Sequence, residues 1–422
     1  MNTSIIPSSQ LRKENKVFWL DRLAKPAVLS QLSKITQGQL IIIDNDVTHK
    51  FGDASAQSNM QVTIEVYHQR FYSSIAFGGS VGAGESYIYG DWSCSDLTML
   101  VRLLLVNRNV LDDMDGHFAR LKAPLFKMFH WLNKNTRTGS RKNIAAHYDL
   151  GNDMFELFLD KNMMYSSAIY PEPDSTLEQA SNYKLDRICL KLHLTENDHV
   201  LEIGTGWGGF AIHAVTHYGC RVTTTTISQE QYDLAVERIN KAGLSDRITV
   251  LLKDYRDLDG KYDKLVSIEM IEAIGHHYLN TYFETCSCLL KPEGLMLLQA
   301  ITIADQRYEE ALKEVDFIKR FIFPGCFIPS ITAMQSSITK STDMKISNLE
   351  DIGPHYAHTL HDWRVSFFEK IEEVKQLGYA DEFIRLWEFY LCYCEGGFEE
   401  RVIGDVQLLL SKPNNRDPIW IG

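Results

Sequence analysis

From residue 200 onward, short apolar runs alternate with longer stretches in which apolar residues recur every three or four positions. The short runs predict β-strands and the longer stretches predict amphipathic helices. Within Ser228–Ala242, for example, Tyr232, Ala235, Val236 and Ile239 share one helical face. Such alternation builds a parallel sheet with helices on both faces, so the predicted fold class is α/β. The five predicted strands are His199–Ile203, Arg221–Thr226, Ile248–Leu252, Lys264–Ile268 and Leu295–Ala300.

A different pattern precedes this region. Short alternating or β-branched segments, Leu40–Ile43 and Gln61–Val66, predict strands of a small sheet, and glycines at 78–79 and 82–84 predict breaks in it. Ser95 and Asp96 follow as the predicted cap of a helix that carries apolar residues at helical spacing. These apolar residues are Leu97, Leu100, Val101, Leu104 and Leu105. Residues 1–115 are therefore predicted to form a small N-terminal α+β domain associated with lipid or substrate.

The α/β alternation is interrupted by a mostly helical insertion at about 305–342, with an apolar loop at Phe321–Pro329. We expect the insertion to cover an apolar substrate site. A sixth strand is predicted near Lys345 and a last strand at Gly404–Leu410, with helices at 359–377 and 382–394 between them. These elements complete a predicted second domain at 144–422.

The charge along the chain is uneven. The 422 residues carry a formal net charge of −12, which argues against nonspecific nucleic-acid binding. Residues 118–148 nevertheless contain Lys and Arg but no Asp or Glu, with aromatic residues interleaved. The predicted linker at 116–143 therefore either lies at a lipid headgroup boundary or is a solvated basic connection. With no secretion signal and no apolar run of bilayer length, we expect a cytoplasmic protein peripheral to the inner face of the membrane.

A glycine loop follows the first strand of the α/β region. Gly204, Gly206 and Gly209 fit the spacing of a dinucleotide loop, but glycines alone do not identify the ligand. A dinucleotide site has an acid near the end of the second strand, and here that strand ends in threonines at 223–226. Glu202, two residues before the loop, fits S-adenosylmethionine (SAM) instead. The remaining alternative is a tight turn with no ligand.

Several motifs together resemble the cyclopropane fatty acid synthases and mycolic acid cyclopropane synthases, a family of SAM-dependent methyltransferases. The resemblance implies a Rossmann-like methyltransferase domain with a helical insertion. The matching segments are Gly84–Trp92, Ile144–Phe155, Met164–Ser167, Leu201–Phe210, Thr226–Gln231, Val266–Glu272, Ile322–Gly325 and Tyr356.

Carried over residue by residue, the resemblance implies two sets of functional residues. Those implied for SAM are Tyr165, Ser166, Glu202, Gly204, Gly206, Thr226, Ile227, Gln231, Tyr255, Arg256 and Ile268. In the family a bicarbonate serves as base, and the positions implied to hold it are Glu272, Gln299, Tyr356, Ser167 and Ile301. No metal is implied, and the adjacent histidines at 276–277 lack the spacing of a metal site.

This sequence departs from the family pattern at three of these positions. Gln299 replaces a histidine, so anion binding is expected to weaken, and Ser167 replaces a cysteine. Glu269 stands where the family usually has a small residue. Its carboxylate is expected to repel bicarbonate or to act as the base itself, unless it points to solvent or pairs with a neighbour.

The resemblance implies methyl transfer from SAM to the cis double bond of an unsaturated acyl chain in a membrane phospholipid, giving a cyclopropane fatty acid. Because the bicarbonate site is altered, a methyl-branched or exomethylene product is an alternative. Two rivals remain: a methyltransferase for a soluble small molecule, and a catalytically silent lipid-binding relative. The expected partners are the phospholipid surface and the acyl chain, with a homodimer left open.

Overall fold

The computed structural model describes residues 19–53, 60–110 and 151–418, and these form two compact units. The first unit takes in the described residues up to Gly151 together with Asp316–Ile322 and Ile371–Glu400. The second consists of Asn152–Val315, Phe323–Lys370 and the described residues from Arg401. The predicted linker at 116–143 falls outside the described residues, and the predicted domain boundaries remain predictions.

The first unit contains a four-stranded sheet in the order β2-β1-β3-β4, in which β1 pairs parallel with β3 and antiparallel with β2. The prediction of a small sheet with a following helix is confirmed. Asp96 caps that helix by accepting a hydrogen bond from the Met99 N–H. The elements of this unit up to residue 106 are α1 Trp19–Leu32, β1 Gly38–Asp44, β2 Val47–Asp53, β3 Gln61–Val66, α2 Arg70–Ile88, β4 Trp92–Cys94 and α3 Leu97–Val106.

The glycine-rich stretch of this unit was predicted to break the sheet, and that prediction is wrong. These glycines lie inside α2, which kinks at Gly79 with φ 55° and ψ −138°. A Cβ on Gly82 would come within 1.9 Å of the Ser74 carbonyl oxygen. The small residues therefore allow the two halves of a bent helix to approach closely, which a count of helix-breaking residues does not reveal.

The second unit contains a seven-stranded sheet in the order β10-β11-β9-β8-β5-β6-β7. Strands β5 to β9 pair in parallel, and β11 runs antiparallel between β9 and β10. The predicted α/β fold is confirmed, and three of the five strands have the predicted bounds. The strands are β5 His199–Ile203, β6 Arg221–Thr226, β7 Ile248–Leu252, β8 Tyr262–Ile268, β9 Leu290–Ile303, β10 Lys345–Asp351 and β11 Ile403–Ser411.

Apolar side chains cover both faces of this sheet and form two cores. One is centred on Leu265, Leu298 and Phe283, and the other on Val200, Val222 and Leu297. The helices of the second unit are α4 Asn152–Glu156, α5 Leu177–Lys191, α6 Gly209–Tyr218, α7 Gln229–Lys241, α8 Leu279–Leu289, α9 Asp305–Ala311, α10 Ile331–Ser341 and α11 Gly353–Glu369. The helices α12 Ile371–Gln376 and α13 Asp381–Glu399 belong to the first unit.

Strands β5, β6, β8 and β9 end at the same edge of the second unit's sheet, because they are parallel. In open α/β sheets ligands bind outside the carboxyl ends of the strands. The order of connection reverses between β5 and β8, so the residues that follow these two strands are the expected site. No helix in the described part of the chain is both long and apolar enough to cross a bilayer.

Candidate active site

The glycine loop connects β5 to α6 through three residues with left-handed backbone. Gly204, Gly206 and Gly208 have φ values of 102°, 50° and 84°. The N–H groups of Gly204 and Thr205 both donate to the Thr225 carbonyl oxygen of β6, at 3.0 Å. This ties the loop to the end of the neighbouring strand. Gly208 was not among the residues predicted for this site, although its conformation is as restrictive as that of Gly204.

Glu202 lies at the base of this loop and is 3% exposed. Its Oε2 has no hydrogen-bond partner within the described residues. Burial raises the pKa of this carboxyl to about 8, and Thr224 opposes the shift by hydrogen bonding. An unpaired buried carboxyl oxygen beside a glycine loop fits a ligand with a cationic amino group, such as the amino acid part of SAM.

The end of β6 and the start of α7 bring together three of the predicted cofactor residues. Thr226 Oγ1 donates to Gln231 Oε1 at 2.8 Å and accepts from the Ser228 N–H at 3.1 Å. Ile227 lies between them with 78% of its surface exposed. An exposed isoleucine fixed between two hydrogen-bonded turns is suited to cover the flat face of a bound adenosine.

The next two predicted cofactor residues follow β7. Asp254 accepts from the Arg256 Nε and Nη2 atoms at 2.8 and 2.7 Å, which places the guanidinium over the rings of Tyr255 and Tyr278. Burial raises the pKa of Tyr255 to about 12, so its hydroxyl stays protonated at neutral pH. Ile268 is the last residue of β8 and therefore lies at the same sheet edge.

Tyr165 and Ser166 precede Ser167 in a loop that also reaches this edge. The Tyr165 ring stacks on Trp363 with centroids 5.2 Å apart and contacts Phe155 edge-on at 5.1 Å. The Ser166 hydroxyl accepts a 2.6 Å hydrogen bond from Lys184 Nζ. Lys184 is fully buried on α5, and sequence reasoning missed it because a lysine on a helix is usually exposed.

Glu269 follows β8 directly, and its side chain points into the site rather than to solvent. Oε1 accepts from the Ser167 N–H and from Gln299 Nε2, both at 2.8 Å. Oε2 accepts from the Tyr356 hydroxyl at 2.7 Å. Three of the residues expected to bind bicarbonate therefore donate their hydrogen bonds to a carboxylate of the chain itself.

Glu272 lies three residues further along. Its Oε1 accepts from the Ile301 N–H at 2.6 Å, while Oε2 is buried and has no partner among the described residues. Its own carbonyl oxygen accepts from the Phe327 N–H, at the end of the apolar insertion loop. Burial, and then the neighbouring Glu269 charge, raise the pKa of Glu272 to about 8. Glu272 is therefore mostly neutral at pH 7.

Gln299 also belongs to a series of hydrogen-bonded polar side chains on β9, β11 and α5. Its Nε2 also donates to Asp405 Oδ2 at 3.0 Å, and its Oε1 accepts from Gln407 Nε2 at 3.1 Å. Gln407 in turn accepts from the buried Lys191 Nζ at 2.8 Å. The amide of Gln299 is thus held in one orientation, with its N–H groups directed at Glu269 and Asp405.

The glycine loop and the carboxyl groups are neighbours. A Cβ on Gly204 would lie 3.2 Å from the side chain of Met270, which stands between Glu269 and Glu272. Aromatic rings line the other side. Tyr356 contacts Trp363 edge-on, with ring centroids 6.1 Å apart, and Trp363 stacks on Tyr165. The site therefore combines a buried carboxylate with aromatic faces that stabilise cations. This arrangement suits a reaction that passes through a positively charged carbon and then loses a proton.

Comparison with known proteins identifies the family. A family model described as mycolic acid cyclopropane synthetase matches residues 135–408. The chain belongs to this family. It is a SAM-dependent methyltransferase, as are its homologues. The same holds for the structural neighbours that share more than a quarter of their residues with this chain.

Two curated relatives cover most of this chain. Tuberculostearic acid methyltransferase UfaA1 from Mycobacterium tuberculosis is 38% identical over 327 residues, which are 76% of this chain and 76% of the relative. Cyclopropane-fatty-acyl-phospholipid synthase from Escherichia coli is 34% identical over 371 residues, 88% of this chain and 93% of the relative. Members of this family act on lipid chains, but the names of these relatives differ in the product they imply.

Solved structures agree with the α/β fold. The cyclopropane synthase MmaA2 from Mycobacterium tuberculosis matches with a TM-score of 0.59 and 29% identity over 64% of this chain and 98% of its own. The mycolic acid cyclopropane synthase CmaA1, complexed with S-adenosylhomocysteine (SAH) and CTAB, matches with a TM-score of 0.58 and 29% identity, over 64% of this chain and 97% of its own. The assignment of SAM from Glu202 and the glycine loop is confirmed at the level of the cofactor, whereas the individual contact residues remain predictions.

Proposed function

We propose that this enzyme transfers the methyl group of SAM to the cis double bond of an unsaturated acyl chain in a membrane phospholipid, giving a cyclopropane fatty acid. The observation that carries the proposal is the buried carboxyl pair Glu269 and Glu272, placed beside the glycine loop and next to aromatic rings. Attack of a π bond on the sulfonium methyl leaves a carbocation. A carboxylate that accepts a proton and a wall that stabilises positive charge are the two groups that such a reaction requires.

The lipid substrate is supported by the relatives and by the chemistry of the site. A phospholipid synthase is 34% identical over almost all of its length, and a neighbouring structure was solved with CTAB, a molecule with a long alkyl tail. A soluble polar substrate offers no partner for the aromatic rings around Trp363. The basic segment at 118–148 is a candidate contact with anionic lipid, although it lies outside the described residues.

A second candidate product is the exomethylene chain. It is favoured by Glu269, whose carboxylate occupies the position expected for an external base, and by the resemblance to a tuberculostearic acid methyltransferase. If the base removes a proton in a different geometry, the electron pair left behind forms a double bond instead of closing a ring. A saturated methyl branch requires a further reduction, for which another enzyme has to supply the hydride.

The test is incubation of the purified enzyme with methyl-labelled SAM and vesicles of a phospholipid that carries a monounsaturated chain. We expect label in the acyl chain and a gain of one methylene in mass. Because ring and exomethylene have the same mass, NMR and mild hydrogenation must then distinguish them. Bound SAM without label in any lipid would refute the proposed substrate, and label in a saturated-chain control would refute attack by a double bond.

A further inference from the structure

The carboxylate of Glu269 fills an anion-binding position. Its two oxygens accept from one backbone N–H, one amide N–H and one hydroxyl, at 2.7 to 2.8 Å. These donors come from three separate elements: the loop of Ser167, strand β9 and helix α11. A planar O–C–O group with three converging donors has the hydrogen-bonding requirements of a bound carboxylate or bicarbonate. An external anion and the Glu269 side chain cannot both occupy it.

The backbone of Glu269 is held in a conformation that disfavours a residue with a side chain. Its φ is 48°, in the left-handed region, and its N–H donates to the Gln299 carbonyl oxygen at 2.9 Å. A non-glycine residue at positive φ is uncommon outside turns, and such strain concentrates at functional sites. The strained backbone directs the carboxylate at the donors, where three hydrogen bonds oppose its release.

Buried charged groups surround this position. Burial raises the pKa of Asp405 well above its usual value and that of Glu272 to about 8. Burial also raises the pKa of Glu269, but the Lys184 ammonium and the three donors act against that shift. Of these three carboxyl groups, Glu269 accepts the most hydrogen bonds, and the charge of Lys184 on α5 acts on it.

We propose that Glu269 is the base of the reaction and takes the place of an external anion. This inference rests on the proposed function. It assigns the proton acceptor to a side chain of this chain, with Ser167, Gln299 and Tyr356 as the groups that orient it. A base that belongs to the chain cannot dissociate, so the reaction needs no bicarbonate.

The proton transfer balances without any further reagent. When the π electrons of the double bond bind the methyl carbon, the C–S electrons stay on sulfur and the neighbouring chain carbon becomes a cation. An oxygen of Glu269 then forms an O–H bond with a proton of the added methyl group. The released electron pair closes the ring on the cationic carbon or, after a hydride shift along the chain, forms the exomethylene double bond. The neutral carboxyl returns its proton to solvent before the next turnover.

Two variants of Glu269 separate this role from a structural one. Glu269→Gly opens the anion position and suits the positive φ, so folding is expected to survive. Glu269→Gln keeps the position filled but removes the base. Loss of a general base typically lowers turnover about 100-fold or more, and we expect this in both variants in carbonate-free buffer. Added bicarbonate should restore activity to Glu269→Gly by about tenfold or more and leave Glu269→Gln inactive.

A measurement without SAM tests the same site. NMR of isotopically labelled bicarbonate, and its effect on the melting temperature, should show binding to Glu269→Gly and none to the wild type or to Glu269→Gln. Glu293→Gln serves as the carboxyl control, because Glu293 is an exposed residue near the start of β9, away from the site at the carboxyl ends of the strands. It should retain at least about tenfold more activity than Glu269→Gln.

The outcomes distinguish this inference from the proposed function. A wild-type enzyme that methylates unsaturated lipid in carbonate-free buffer, with rescue only in Glu269→Gly, supports both. Wild-type turnover that requires added bicarbonate, or full activity in Glu269→Gln, would overturn the role of Glu269 and leave the lipid reaction standing. No lipid methylation by the wild type under any condition would refute the proposed function, while bicarbonate binding restricted to Glu269→Gly would still support the anion position.

Discussion

Individual buried carboxyl groups lie at the strand ends of the second unit, and the sequence identified them only in part. Glu269 was recognised as a departure from the family pattern, but four possibilities were open for its side chain: repelling bicarbonate, acting as the base, pointing to solvent or pairing with a neighbour. Its orientation depends on a backbone N–H at Ser167, a hydroxyl on α11 and an amide on β9, which are far apart in the sequence. Contacts of this kind leave no local signal. Lys184 and Asp405 were missed for the same reason.

Glu202 gives a prediction about stability and pH. The folded chain holds this carboxyl's proton up to about pH 8, whereas the unfolded chain releases it near the ordinary value of 4.5. Because the folded state binds more protons in this window, stability falls as pH rises, by at most about 1.4 kcal/mol per pH unit. Glu202→Gln removes this loss. Its melting temperature without SAM, relative to wild type, should therefore increase steadily from about pH 5 to about pH 8.

An exposed carboxyl provides the control for this measurement. Glu230 lies at the start of α7, and hydrogen bonds lower its pKa, so it is ionised in both states throughout the same window. Glu230→Gln should leave the pH dependence of the melting temperature unchanged. If the difference between Glu202→Gln and wild type is also independent of pH, then Glu202 is ionised in the folded protein and its buried oxygen has a partner.

Whole elements were easier to predict than their contacts. The strands of the second unit are short apolar runs between helices. A hydrophobic period of two or of 3.6 residues is visible in the sequence without knowledge of the tertiary contacts. Helix α5 shows the limit. Its buried face includes Lys184 and Lys191, two turns apart, which a hydrophobic pattern assigns to solvent. The lysines face inward because Ser166, Gln407 and Glu350 satisfy them there.

The position of Lys184 on α5 predicts its effect on the pH–rate profile. The ammonium stabilises the ionised form of Glu269, so Lys184→Met should raise the pKa of that carboxyl. The acidic limb of the kcat/KM profile should then move to higher pH by about one unit or more, with activity recovering in alkali. Steady-state kinetics on labelled SAM and lipid vesicles from about pH 6 to about pH 9 measures this shift.

The second buried lysine of α5 is the matched control. Lys191 interacts with Glu350 and Gln407, and Glu269 is not among the charges that shift its pKa. Lys191→Met should lower stability and leave the acidic limb in place. If Lys184→Met lowers the rate equally at every pH, the lysine acts on the packing of α5 alone.

The start of α6 makes a second prediction at this scale. A Cβ on Gly209 would lie 2.4 Å from the Asn162 carbonyl oxygen and 2.7 Å from Met164 Sδ, just before Tyr165. Overpacking of this kind costs about 1–3 kcal/mol. Gly209→Ala should therefore lower the melting temperature and, by displacing the loop of Tyr165 and Ser166, weaken SAM binding by about tenfold or more in calorimetry.

Another glycine of the same unit separates strain from displacement. Gly243 has φ 71° after α7, and nothing lies within 4 Å of an added Cβ. Gly243→Ala should cost about 1–2 kcal/mol through backbone strain, with SAM affinity unchanged. Equal losses of SAM affinity in both variants would mean that global destabilisation, and not the contact at Asn162, weakens binding.

At the scale of the whole molecule, the assignment of chain segments to the two units was the part that the sequence revealed least. Segments Asp316–Ile322 and Ile371–Glu400 cluster with the first unit, although the sequence pattern placed them in the methyltransferase domain. Within that unit Glu395 accepts from Thr98 at 3.1 Å and Glu400 pairs with Arg102 at 2.7 Å, about three hundred residues apart in sequence. Periodicity identifies α13 as a helix but does not say which sheet or helix it covers.

The uneven charge of the chain predicts how it reaches a lipid surface. A net charge of −12 repels anionic vesicles, whereas the segment at 118–148 carries seven Lys and Arg residues and no acid. Each basic residue near an anionic surface contributes about 1 kcal/mol, so four changes to Gln should weaken vesicle binding by about 100-fold or more. The four test positions are Lys122, Lys127, Lys134 and Arg137. The equal-charge control replaces four exposed lysines elsewhere: Lys50, Lys241, Lys340 and Lys375. Sedimentation with vesicles should show weaker binding by the four-residue variant, and added salt should weaken wild-type binding in the same way. Equal losses of binding in the test and control variants would assign the effect to net charge alone.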